Sequence, residues 1–105
     1  MTEEIRAGVG EEFEVSLQAT PTAGFTWEVS IPTEGADVIN FLGSEWQAPV
    51  PSELGGSPSQ RFRFRAIGPG RVSLLFRYRR RWENSDLKRR VMVVSIDSQP
   101  TVLQK

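Results

Sequence analysis

The chain has 105 residues, 13 basic and 13 acidic, with no cysteine and no histidine. That length makes one domain, 1–105, able to bury a core without staples. Disulfide, thiolate and redox chemistry are excluded, and the usual general base and commonest zinc ligand go with histidine, so neither an enzyme nor a cofactor is expected.

The dominant period along the chain is two, the period of a pleated strand. EFEVSLQA, residues 12–19, sets Phe13, Val15, Leu17 and Ala19 against Glu12, Glu14, Ser16 and Gln18. TPTAG, 20–24, breaks the pattern, and FTWEVSI, 25–31, resumes it with Phe25, Trp27, Val29 and Ile31 inward. PTEGA, 32–36, is the next breaker, followed by a weaker strand candidate, DVINFLGSEWQ, 37–47, and the long loop APVPSELGGSPS, 48–59. RFRFRAI, 61–67, alternates Phe62, Phe64 and Ala66 with three arginines. After the GPG turn at 68–70, RVSLLFRYR, 71–79, places Val72, Leu74, Phe76 and Tyr78 on one face. LKRRVMVVSID, 87–97, becomes continuously apolar at Val91–Val94, the pattern expected of a central strand covered on both sides. Six or seven short strands with no sustained helical period predict an all-β, immunoglobulin-like antiparallel β-sandwich with Trp27 in its core.

Ten of the thirteen acids lie in 1–60 and twelve of the thirteen bases in 61–105, and in a single domain such halves are expected to pair across strands. No run approaches the roughly 20 apolar residues of a membrane span, and MTEEIRAG lacks an apolar signal core, so no membrane partner is expected. The chain as given reads as cytoplasmic, or as periplasmic or secreted after removal of a signal. RYRRRWE, 77–83, invites a phosphate-binding reading. Arg77 and Arg79, however, continue the polar face of a strand, and the neutral whole gives no basic track. Nucleic acid is therefore not expected.

In a sandwich, alternate connections emerge at one end, and TPTAG, 48–59 and RRRWENS fall at connections two, four and six. Pro21 and Gly24 constrain Thr22 and Ala23 between them, giving a stiff tip with little entropy left to lose on binding. Gly55 and Gly56 permit close backbone approach. Trp82 beside Arg80 on a projecting hairpin joins the two residue types most enriched at binding hot spots.

These motifs resemble the chagasin-type inhibitors of papain-like cysteine proteases, over about Glu11 to Asp97. The family's first loop, Asn-Pro-Thr-Thr-Gly followed by an aromatic, any residue and Trp, is met by Thr20, Pro21, Thr22, Ala23, Gly24, Phe25, Thr26 and Trp27. Its third loop, Tyr-x-Arg-Pro-Trp-Glu, is met by Tyr78, Arg79, Arg80, Arg81, Trp82 and Glu83. The glycine loop between them falls on Gly55, Gly56, Ser57 and Pro58, ahead of the Phe62-x-Phe64-x-Ala66 strand, and Leu54 just before it joins the implied protease-binding residues. Thr20, Ala23, Arg81, Ser57 and Pro58 depart from the pattern. Arg81 in place of proline is expected to loosen the third loop, and the lost glycines to restrict backbone pairing by the second. The resemblance implies a monomeric, reversible, competitive inhibitor that lays three loops across a protease cleft. In that scheme the Pro21–Gly24 tip lies over the catalytic cysteine and histidine with Thr22 central, Gly55 and Gly56 pair by backbone on one side, and Arg80 and Trp82 grip the primed side. A non-inhibitory immunoglobulin-like binding module is the alternative that the departures leave open.

Overall fold

The computed structural model describes residues 3–19, 24–48 and 58–98. Seven strands follow one another: β1 (Glu3–Gly8), β2 (Glu12–Gln18), β3 (Phe25–Ser30), β4 (Ile39–Gln47), β5 (Ser59–Ala66), β6 (Gly70–Arg80) and β7 (Lys88–Asp97). They form a four-stranded sheet, order β1-β7-β6-β3, and a three-stranded sheet, order β2-β5-β4. The two sheets make the expected immunoglobulin-like sandwich. Every pairing is antiparallel except β1 with β7, which is parallel.

Period-two alternation explains the core. Leu17, Phe64, Leu74, Phe76 and Val94, one or more from each of β2, β5, β6 and β7, are fully buried between the sheets. Phe62 of β5 meets Phe76 of β6 edge-to-face, with ring centroids 5.2 Å apart, so the contact joins one sheet to the other. Each such phenylalanine stabilises the fold by about 2–3 kcal/mol through burial alone. Trp27 is buried, as its place in the alternation predicts.

Three features add to or amend the expected pattern. β1 is a strand although EEIRAG shows only Ile5 and Ala7 as an apolar alternation; it exists because the parallel ladder from Glu3↔Met92 to Gly8↔Asp97 pairs it with β7. β7 is interior to its sheet but is covered on one face only, with Met92, Val94 and Ile96 inward and Val91 exposed. Its continuous apolar run marks a strand flanked on both edges, not one sandwiched between two layers. PTEGA, read as a breaker, is a 3-10 turn over Thr33–Asp37.

The charge asymmetry resolves into cross-strand pairs. Arg63 and Arg65 both reach Glu12, and Arg61 reaches Glu14 and Glu45, along the outer face of β2, β5 and β4. Arg90 on β7 pairs with Glu3 on β1. The Arg65 hydrogen bond holds the Glu12 carboxyl below the usual range, and the Arg61 hydrogen bond does the same for Glu45. These pairs are largely open to solvent, so each adds little stability.

Candidate functional site

One end of the sandwich gathers the ends of six strands. The backbone N–H of Ala19, just after β2, donates to the C=O of Pro58, just before β5, at 3.0 Å. Gln47 at the end of β4 pairs with Ser59, and Phe25 at the start of β3 pairs with Arg80 at the end of β6. Connections two, four and six therefore leave from the same end, as expected. Thr20, Pro21, Thr22, Ala23, Leu54, Gly55, Gly56 and Ser57 lie outside the described residues. Gly24, Phe25, Arg80, Arg81, Trp82 and Glu83 lie within them, and the structure brings these six together.

The contact begins with glycine. Gly24 has φ +82°, a left-handed conformation that costs other residues free energy. A Cβ built there would collide with Cη2 of the Trp82 indole and stand 3.1 Å from its Cζ3. The indole therefore rests on the bare α-carbon of Gly24. Trp82 is nevertheless 72% exposed, the most exposed large apolar side chain among the described residues. It is fixed on one edge and open to solvent over its remainder.

Arg80 is held from two directions. Its guanidinium carbon lies 4.5 Å above the Phe25 ring, and its Nη1 is 3.1 Å from Glu83 Oε2. Phe25 in turn stacks on Tyr78 at 5.3 Å, and Tyr78 meets Trp27 at 4.9 Å. The aromatic column thus runs from the core to the base of the tip.

The hairpin between β6 and β7 is closed at several levels. Leu87 N–H donates to Tyr78 C=O at 2.8 Å, Glu83 N–H donates to Arg80 C=O at 3.1 Å, and Arg79 Nη2 donates to the Glu83 carbonyl. Below the tip, the Asp86 side chain is only 4% exposed. Arg77 Nε reaches both of its carboxylate oxygens at 3.1 Å, and Arg89 Nε reaches Oδ2 at 2.7 Å. The Arg89 hydrogen bond first, then that from Arg77, holds the Asp86 carboxyl below the ordinary aspartate value, against the opposing effect of desolvation. The hairpin is therefore pinned by charge where a proline at 81 would have pinned it by geometry.

Two residues of this end were not singled out by sequence reasoning. Among the described residues, Gln60 is the buried polar side chain of the core: Trp27 N–H donates to its Oε1 at 2.6 Å, and its Nε2 donates to Trp27 C=O at 3.2 Å. The available signal was a glutamine at an inward position, Gln60 sharing parity with Phe62 and Phe64. Trp46 is half-exposed near the end of β4. The bulge between Phe41 and Gly43 switches parity, so that Ser44 and Trp46 share the face of Phe62 and Gln60. A strict period-two reading places Trp46 on the wrong side.

The model of the chagasin family peptidase inhibitors, I42, matches residues 6–96. No curated protein matches the chain. Among solved structures, the cysteine protease inhibitor EhICP2 from Entamoeba histolytica is similar at TM-score 0.70 and 23% identity, covering 91% of this chain and 86% of that one. Amebosin is similar at TM-score 0.67 and 22% identity, covering 92% and 95%. At these identities the structural likeness carries the fold, whereas the family match, spanning nearly the whole domain, carries the assignment. This chain belongs to the chagasin family of peptidase inhibitors.

Proposed function

We propose that this chain is a reversible, competitive inhibitor of papain-like cysteine proteases, seated across the catalytic cleft as a monomer by the loop end of the sandwich. The observation that carries the reading is Trp82, an indole left mostly in water yet held against Gly24 at the exit of the first loop. A large rigid side chain presented this way forfeits little entropy on binding and offers broad apolar contact. Family membership supports a peptidase as partner, and the description of EhICP2 as a cysteine protease inhibitor supports the class.

The inhibitor supplies shape and no chemistry, in keeping with a sequence that has neither cysteine nor histidine. Pro21, Thr22 and Ala23 would occlude the nucleophile, with Thr20, Gly24 and Phe25 framing them. Leu54, Gly55, Gly56 and Ser57 would pair by main chain with one side of the cleft, as an extended substrate does. Trp82, Arg81, Arg80 and Glu83 would cover the other side. Titration of papain and a cathepsin-L-like enzyme tests the proposal. Inhibition that falls as substrate rises and reverses on dilution is expected, and full activity at micromolar inhibitor would overturn the assignment for those targets.

A further inference from the structure

β3 is an edge strand of its sheet, so the backbone groups on its open side face away from the β6 ladder. Such an edge presents unpaired N–H and C=O groups, which natural folds cover or blunt. At Trp27 the cover comes from the opposite sheet. The Gln60 amide uses both ends, accepting from the Trp27 N–H and donating to the Trp27 C=O, as a neighbouring strand's peptide group would. The Trp27 indole Nε1 donates to the Gln18 carbonyl at 2.9 Å, drawing in the end of β2 as well.

Position makes this more than a core contact. Gln60 stands two residues after Pro58, where the second loop re-enters β5, and Trp27 stands three residues after Gly24, where the first loop re-enters β3. Tyr78 and Arg80 tie the third loop to the same strand through Trp27 and Phe25. Without the amide, aromatic packing would still join β3 to the third loop. The direct side-chain bond from β5 to β3 would be gone.

We infer that Gln60 is a positioning residue of the inhibitory surface, whose buried amide clamps β3 at Trp27 and so fixes the exit of the first loop to the exit of the second across the two sheets. The inference rests on the inhibitor reading proposed above for its affinity readout, and on geometry alone for its structural one. Gln60→Met keeps length and volume while removing both hydrogen bonds. Gln60→Glu keeps the acceptor for the Trp27 N–H but can donate to the Trp27 carbonyl only when protonated.

Inhibition constants and dissociation rates against papain, with thermal unfolding in parallel, test the clamp. Gln60→Met is expected to remain folded at a lower Tm and to bind about tenfold or more weakly, mainly through faster dissociation, because binding must then restore an order of the loop exits that the two hydrogen bonds had supplied beforehand. Relative to the wild type at each pH, Gln60→Glu should inhibit nearly normally at about pH 5 and progressively worse toward about pH 8, since burial raises its carboxyl pKa. A folded Gln60→Met that inhibits like the wild type, or a Gln60→Glu whose ratio to wild type is flat with pH, overturns the inference. Should Gln60→Met not fold, the Gln60→Glu profile decides. Should the wild type inhibit nothing, the inhibitor reading falls, and amide hydrogen exchange judges the clamp by itself. Faster exchange at Trp27 and Ala19 in the folded variant upholds it, and unchanged exchange overturns it.

Discussion

Replacing Gly24 by alanine perturbs two things at once, and the structure separates them. The first is local: alanine at φ +82° costs about 1 kcal/mol or somewhat more, which for a domain of this size lowers Tm by roughly 4–8 °C. The second is remote, because the new methyl group would clash with Cη2 of Trp82. That atom is the far end of an exposed side chain, so the indole swings aside at small further cost in stability. What it loses is its fixed position. Trp82→Ala itself should leave Tm nearly unchanged, within about 0.5 kcal/mol for an exposed side chain, while weakening inhibition by about 2 kcal/mol or more, some thirtyfold. Gly24→Ala should approach the same loss of affinity. The assay is a double-mutant cycle of inhibition constants against papain. If displaced indole is the route, the double variant inhibits little worse than Trp82→Ala alone, and the coupling is most of the 2 kcal/mol. Additive losses would refute the reasoning, since Gly24→Ala would then act through the first loop whether or not the indole is present.

Asp86 predicts an acid limit: its carboxyl lies below the ordinary value in the folded chain, so its stabilisation is complete above about 3.9, the unfolded value, and is lost as pH falls through the lower folded value. With no histidine in the sequence, Tm should be nearly flat from about pH 5 to 8 and decline below about pH 4, and Asp86→Asn should shrink that decline without removing it, because Glu12 and Glu45 shift in the same direction. An unchanged acid limb in Asp86→Asn would contradict the assignment. Arg81→Pro should raise stability by about 0.4–1 kcal/mol, since the Glu83 N–H to Arg80 C=O bond puts Arg81 at the second position of a β-turn, where proline is favoured. A lower Tm would mean that the turn requires positive φ there. Phe76→Ala should cost about 3–5 kcal/mol in urea unfolding, and a loss under about 1 kcal/mol would rule out its full burial between the two sheets.

Period two carried most of the fold because inward and outward residues differ in polarity on β2, β5 and β6, whose apolar members line one core. It missed β1, where pairing with β7 decides the strand and the six residues alone do not. It left the face of Trp46 unassigned, because a single extra residue at the bulge inverts parity without leaving a mark in composition beyond Gly43, at φ +131°. At the site, the tryptophan-arginine tip and the Gly24 turn were legible as motifs. Their contact was not, since nothing in the sequence says that an indole 58 positions away in the chain lies on that glycine. Gln60 escaped for a related reason. A buried amide is recognisable only once its two partners, both backbone groups of one residue in the other sheet, are in view.

The third loop shows how one constraint replaces another. Proline stiffens a turn by narrowing what the chain can do before it folds, and it needs no partner. Arg81 cannot do this, yet the hairpin is closed by Glu83 to Arg80, by Arg79 to the Glu83 carbonyl, and by Asp86 between Arg77 and Arg89. The arginines that first suggest a phosphate track are therefore largely engaged within the hairpin itself. Arg80 steadies the tip through Phe25 and Glu83, while Arg77 and Arg89 hold its base through Asp86. Arg81, exposed beside Trp82, faces no carboxylate within 4 Å among the described residues. A loop ordered by ion pairs responds to salt and acid in a way that a proline-stiffened loop does not. With arginine at 81, closure of the tip is left to contacts of Glu83, Arg79 and Asp86, and with it comes a dependence on salt and acid.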